Sequence, residues 1–192
     1  MKFDELKELL ACDRSYRRFD QSVRIKRDTL ERLVELTRLC ASGRNAQPLR
    51  YRFVNNEEEC AKVYQHLKWA GYYTDWDGPS EGERPTAYLV QCLDTSFGSS
   101  CLCDDGLHLQ AITLGATTLG LGGCIIKAFN AVELAKVLSI DERYQPRYVL
   151  ALGKPIEQVR LEEMQGEDFK YYRTEDGVHH VPKRSLQELI IN

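Results

Sequence analysis

Two arginines three residues apart, with a serine hydroxyl between them, stand in Arg14-Ser15-Tyr16-Arg17-Arg18-Phe19. Guanidinium groups bind phosphate bidentately and serine adds a neutral donor, so these residues have the makings of an anion cradle. Taken alone, a solvated basic turn is the plainer reading. Further on, Ser42-Gly43-Arg44-Asn45-Ala46-Gln47-Pro48-Leu49 combines a glycine that permits close backbone approach with the amides of Asn45 and Gln47. Paired amide donors and acceptors suit the edge of a flat heteroaromatic ring. A helix stop followed by a turn explains the same residues.

Other patterns carry less chemistry. Cys101-Leu102-Cys103 lacks a second pair at zinc-finger spacing, so it reads as reduced thiols with no metal. Gly120-Leu121-Gly122-Gly123 follows a helix and opens a strand, the reverse of the dinucleotide-binding context. His179 and His180 fall in a polar stretch that reads as solvent-exposed, and His66 and His108 have no evident partners. No Ser–His–Asp or paired-carboxylate arrangement emerges, so no side chain is assigned a catalytic role.

The elements that must position these residues follow from periodicity. Phe3, Leu6, Leu9 and Leu10 share one face of a short opening helix. Asp28 and Glu31 have capping-box spacing ahead of a second helix, which Ser42-Gly43 and Pro48 terminate. A strand is expected over Leu49 to Val54, a helix over Glu57 to Trp69, and a strand over Ala87 to Leu93. Between the last two lies a long loop, residues 71–85, with Tyr72, Tyr73 and Trp76 in it; loops of this length are often functional. Asp104 to Leu119 reads as the longest helix and Cys124-Ile125-Ile126 as a buried extended segment. Asn130 with Glu133 caps another helix, and Arg147 to Leu152 is a strand. A polar excursion of about thirty residues follows, and Ser185 caps a closing helix. The expected fold is one α+β domain over residues 1–192, with a small, mostly antiparallel sheet flanked by helices.

Composition bounds the partners. The 192 residues carry a formal charge of −3, yet residues 14–52 hold eleven Lys/Arg against four acids. A concentrated basic segment in an acidic chain calls for an anionic partner. A nucleic-acid module is the more distant option, because the net charge is wrong for it. Seven cysteines, an odd number among apolar runs, read as reduced thiols. The charged opening MKFDELKELL has no signal-peptide core, and no apolar stretch nears the roughly 20 residues a membrane span needs. The expectation is a cytoplasmic protein without a membrane partner.

The order of these segments is more specific than any one of them. An arginine-serine-arginine segment after a short helix, then SxxNxQP leading into a strand, then WAGY, DW, GP and GERP, resembles the flavin-dependent nitroreductase family, in particular a compact branch of it. DDGLHLQAITLGATTLGLGGCII is similar to the family's long helix and following strand, and Tyr148 to Pro155 to its closing strand. The resemblance spans roughly residues 12–156, with Pro182-Lys183-Arg184 a further point.

It implies an α/β sandwich that forms a homodimer with flavin sites at the subunit interface, the C-terminal segment 157–192 extending over the partner. It implies FMN as cofactor, NADH or NADPH as electron donor, and hydride transfer through flavin N5 to a nitroaromatic, quinone or similar small acceptor in a ping-pong cycle. A non-catalytic flavin carrier or sensor is the alternative. By position, Arg14, Ser15 and Arg17 match the segment that holds the phosphate and pyrimidine edge, and Lys183 and Arg184 a basic pair at the same phosphate. Ser42, Gly43, Asn45 and Gln47 match the segment that reaches or supports the flavin site from the facing subunit. Ile126, Lys127 and Ala128 match backbone donors beside N5. Tyr72, Tyr73 and Trp76 are candidate walls of the substrate pocket, with core packing the competing reading. Asp13 stands where many members have another arginine, and Lys127-Ala128 replaces a commonly acidic or glycine-rich pair.

Overall fold

In the computed structural model, which describes residues 2–191, the organising element is β3 (Ala87–Asp94), whose eight residues are all buried. Burial on both faces explains its almost unbroken apolar run. Ala87 and Leu89 point to one side of the sheet and Tyr88, Val90 and Cys92 to the other, the two-residue alternation of extended chain. β3 pairs antiparallel with β2 (Leu49–Val54) on one edge and with β5 (Tyr144–Pro155) on the other. The far edge of β5 takes β4 (Gly122–Ile126) and the two-residue β1 (Phe19–Asp20), both antiparallel.

Helices cover both faces. On one side α2 (Arg27–Glu35) and α4 (Asp104–Thr118) contribute Leu30, Leu33, Leu109, Ile112 and Ala116 to a core with Leu89, Leu150 and Leu152. On the other, α3 (Glu57–Gln65) and α5 (Ala131–Val137) supply Cys60, Val63 and Leu134 against Tyr88, Val90 and Ala151. Full burial of each such leucine or valine contributes roughly 1.5–3 kcal/mol. The opening helix α1 (Phe3–Cys12) buries none of its residues.

The expected α+β class and flanked antiparallel sheet are present, with three local corrections. The second helix starts at Arg27 after an extended Lys26 and has no side-chain cap; Asp28 lies inside its first turn, where a carboxylate still favours the helix dipole. α3 stops at Gln65, because Leu67 bridges to Phe129 and the Lys68 amide donates to the Ala128 carbonyl at 2.9 Å. The closing segment forms one 3₁₀ turn, Gln187–Leu189, in place of an α-helix; Glu188 accepts from the Ser185 amide and hydroxyl.

The polar excursion is itself structured. β6 (Val159–Glu163), β8 (His179–Lys183) and β7 (Tyr172–Arg173) form a second sheet, with β6 and β8 parallel and β7 antiparallel to β8. No described helix is long and apolar enough to cross a membrane.

Candidate active site

The segment after α1 is held in place from two directions. Ser15 forms a parallel bridge with Gly123 at the start of β4, with the Tyr16 amide donating to the Gly123 carbonyl at 3.0 Å. Asp13, largely buried, accepts from the Thr113 hydroxyl at 2.7 Å and from the Gln110 amide, both on α4. Burial pushes the Asp13 carboxyl above its usual range, against the pull of those two donors. Asp13 therefore ties the segment to α4, in the position where the resemblance leads one to expect an arginine.

This fixation opens a cavity of about 350 Å³ beside Asp13, Arg14, Ser15 and Arg17. Gly123 and Ile125 of β4 form its floor, and Tyr171, His179 and Lys183 close it from the C-terminal sheet. Alternation sets both strands' contributions. His179, Val181 and Lys183 share the cavity face of β8, and Gly123 and Ile125 share that of β4, while Cys124 and Ile126 turn into the core.

The cavity's charge is positive, with Arg14, Arg17 and Lys183 against Asp13, and none of the three cations forms a salt bridge among the described residues. Arg14 donates from Nη2 to the Leu10 carbonyl at 2.8 Å, and its buried Nε has no partner among the described residues. Arg17, 9 % exposed, is fixed more firmly. Its backbone N–H donates to Glu157 Oε2 at 2.8 Å, and its Nη1 donates to the Ser15 carbonyl and to His179 Nε2, each at 3.1 Å. Its guanidinium lies 4.8 Å from the centre of the Tyr171 ring.

Of the residues singled out by sequence, Arg14, Ser15, Arg17 and Lys183 come together here. The others lie elsewhere in the chain. Ile126 packs in the core, Lys127 Nζ donates to the Arg147 carbonyl at 2.8 Å, and the Ala128 carbonyl accepts from Lys68. Arg184 pairs with Glu188 at 3.3 Å. Ser42 and Gly43 are anchored by the buried Asp104, which accepts from the Ser42 hydroxyl at 2.6 Å and the Gly43 amide at 2.9 Å. Asn45 and Gln47 are hydrogen-bonded to each other at 3.1 Å in left-handed backbone, and Gly43 lines a second cavity of about 300 Å³ with Phe97 and Leu102. Tyr72 is half-exposed and packs on Tyr171 with ring centres 4.8 Å apart; Tyr73 meets Trp76 edge-on.

Three histidines differ from their sequence reading. His179 and His180 are 1 % and 8 % exposed, because β8 is sandwiched between β6 and β7 and faces Arg17. His108 is buried on α4 with its Nδ1 3.0 Å from the Tyr51 hydroxyl.

Comparison with known proteins agrees with this architecture. A family model described as Nitroreductase family matches residues 14–85 and 103–154. The oxygen-insensitive NADPH nitroreductase of Helicobacter acinonychis (strain Sheeba) is 26 % identical over 82 % of this chain and 92 % of its own. A nitroreductase family protein from Streptococcus pneumoniae TIGR4 superposes with a TM-score of 0.69 at 16 % identity, covering 85 % of this chain and 96 % of its own. The NADPH:FMN oxidoreductase from Vibrio harveyi, solved with NAD+, superposes with a TM-score of 0.65 at 20 % identity, covering 85 % and 74 %. Residues 155–191, with Tyr171, His179 and Lys183, lie beyond the matched family range.

Proposed function

The chain belongs to the nitroreductase family, and on that premise we propose that it is an FMN-dependent NAD(P)H oxidoreductase that reduces a nitroaromatic, quinone or similar small acceptor. The observation that carries this reading is the convergence of Arg14, Arg17 and Lys183 on one cavity. Three unpaired cations fit a phosphate dianion. The relatives' names, one an NADPH nitroreductase and one an NADPH:FMN oxidoreductase, support the same cofactor and donor.

When bound, FMN supplies the redox chemistry, accepting hydride from NADH or NADPH and passing electrons on. Arg14 and Lys183 hold the phosphate, with the Ser15 hydroxyl a further donor. Arg17, whose Nη1 is already committed to Ser15 and His179, presents its remaining guanidinium edge as a fixed positive charge, of the preorganised kind that stabilises negative charge developing nearby. Ile125 and Tyr171 flank the cavity with apolar surface.

The proposed assembly is a homodimer. Its support is the amount of apolar surface left uncovered: Phe3 on α1 and Leu102 before α4, then Leu186, Leu189 and Ile191 in the C-terminal tail, the last 99 % exposed. Ser42, Gly43, Asn45 and Gln47 would then serve the partner's cavity, and the tail beyond Lys183 would lie across the partner.

The test is anaerobic addition of NADH or NADPH to the purified protein. A yellow protein that bleaches, and regains colour with a quinone or nitroaromatic, is the expected result. A yellow protein inert to both nucleotides would instead mark a flavin carrier, and a colourless protein that takes up no FMN would overturn the flavin assignment.

A further inference from the structure

Arg17 is tied to the loop 71–85 through a buried imidazole. His179 Nε2 lies 3.1 Å from Arg17 Nη1, and its Nδ1 is hydrogen-bonded to the Tyr73 hydroxyl. These three residues are remote in sequence and meet because β8 lays His179, 1 % exposed, between the Arg14–Arg17 segment and the loop. We propose that His179 is the positioning residue of this site: as the neutral Nδ1–H tautomer it accepts from Arg17, donates to Tyr73, and so fixes the guanidinium that faces the cavity.

Donor and acceptor chemistry dictates the tautomer. A guanidinium has only donors, so the nitrogen facing Arg17 must present a lone pair. The one proton of a neutral imidazole then sits on Nδ1 and is donated to the Tyr73 oxygen. The surroundings agree. Arg173 donates to Glu157 Oε1 at 2.6 Å and covers the Tyr73 and Trp76 rings at 4.9 and 4.8 Å. Glu157 also accepts the Arg17 amide, so the single carboxylate of the cluster already serves two arginines. His180 points away, to Glu162 at 2.9 Å. An imidazolium at His179 would be a third cation beside one anion, with Nε2–H aimed at another donor. Burial, with Arg17, Arg173 and His180 adding to it, holds the His179 pKa down to about 4.

This assignment goes beyond the matched family range, since His179, Tyr171 and Arg173 all lie outside it. It rests on the flavin reading only for its redox readout; the tautomer is tested without any cofactor. Nitrogen-15 NMR of the imidazole in the full-length protein is expected to show neutral His179 protonated at Nδ1 from pH 6 to 8. An Nε2–H tautomer, or an imidazolium at pH 7, overturns the proposal.

Two variants test the positioning role. His179→Gln keeps an acceptor for Arg17, whereas His179→Phe keeps ring volume without one. The FMN-loaded His179→Phe protein should bind reduced flavin about tenfold less well relative to oxidised flavin, which converts to a two-electron potential about 30 mV lower. His179→Gln should stay near the wild-type potential. Equal potentials in wild type and a folded His179→Phe protein would overturn the role, as would equal losses in both variants. Should His179→Phe fail to fold, the NMR result and the Gln variant still decide. A wild-type protein that binds no FMN would remove the flavin reading while leaving the tautomer measurement standing.

Discussion

Acidification offers a quantitative probe of the buried cluster. His179 has an ordinary pKa of 6.5 when unfolded and about 4 in the folded chain. Between those values the unfolded state binds a proton that the folded state refuses, so stability falls as pH drops from about 6.5 through about 4 and is insensitive to this group above that window. At 1.36 kcal/mol per pH unit the loss is about 1.4 kcal/mol at pH 5.5 and about 3 kcal/mol near pH 4. Carboxylates held low by arginines, such as Asp94 between Arg143 and Ser96, destabilise the fold only below about pH 4 and do so equally in a variant. The assay is urea unfolding of wild type and His179→Gln at several pH values between 7 and 4.5. The difference in stability between the two should shrink in favour of the variant by about 2 kcal/mol at pH 5. Parallel pH curves would refute the reasoning, because they would mean that His179 titrates normally and is not held neutral by its burial beside Arg17 and Arg173.

Three further outcomes follow from packing. Tyr88 is fully buried in β3, and its hydroxyl has no partner among the described residues, so Tyr88→Phe should leave stability unchanged or raise it by about 1 kcal/mol in chemical denaturation; a loss of that size would reveal a hidden partner. Gly153→Ala would bring a Cβ within 2.7 Å of the buried Phe19 ring, and should lower stability by about 1–3 kcal/mol, whereas a neutral effect would contradict the close packing of β1 on β5. Sedimentation equilibrium should give twice the 22.1 kDa chain mass, with Leu189→Glu and Ile191→Glu together shifting the protein toward monomer; a wild-type monomer would contradict the proposed assembly.

What the sequence reveals about this molecule is what depends on neighbours along the chain. The strand at Leu49–Val54 and the Asn130 cap, whose side chain accepts from Val132 and Glu133, are local events and are readable as such. The grouping of Arg14, Ser15 and Arg17 within four positions is equally local, and the structure sets all three beside one cavity. Lys183 could be assigned to it only through resemblance. His179 could not be assigned at all, because its partners Arg17 and Tyr73 lie more than a hundred residues away and β7 and β8 are short strands of polar residues with no strong period. Asp104 was hidden for a similar reason: it opens α4 as the sequence suggests, but its role as the buried anchor of Ser42 and Gly43 depends on residues some sixty positions away. The early end of α3 reflects tertiary pairing of Leu67 with Phe129, which no helical periodicity can anticipate.

The central claim is that Arg14 and Arg17 hold FMN in the cavity they share, and FMN titration of the apoprotein, followed by quenching of flavin fluorescence, tests it most directly. Two charge-assisted hydrogen-bonding groups at roughly 1.5–3 kcal/mol each amount to two or more powers of ten in affinity. Wild type is expected to bind one FMN per chain, and the folded Arg14→Ala/Arg17→Ala protein to bind it at least a hundredfold more weakly. A folded double variant with undiminished FMN affinity would contradict the account.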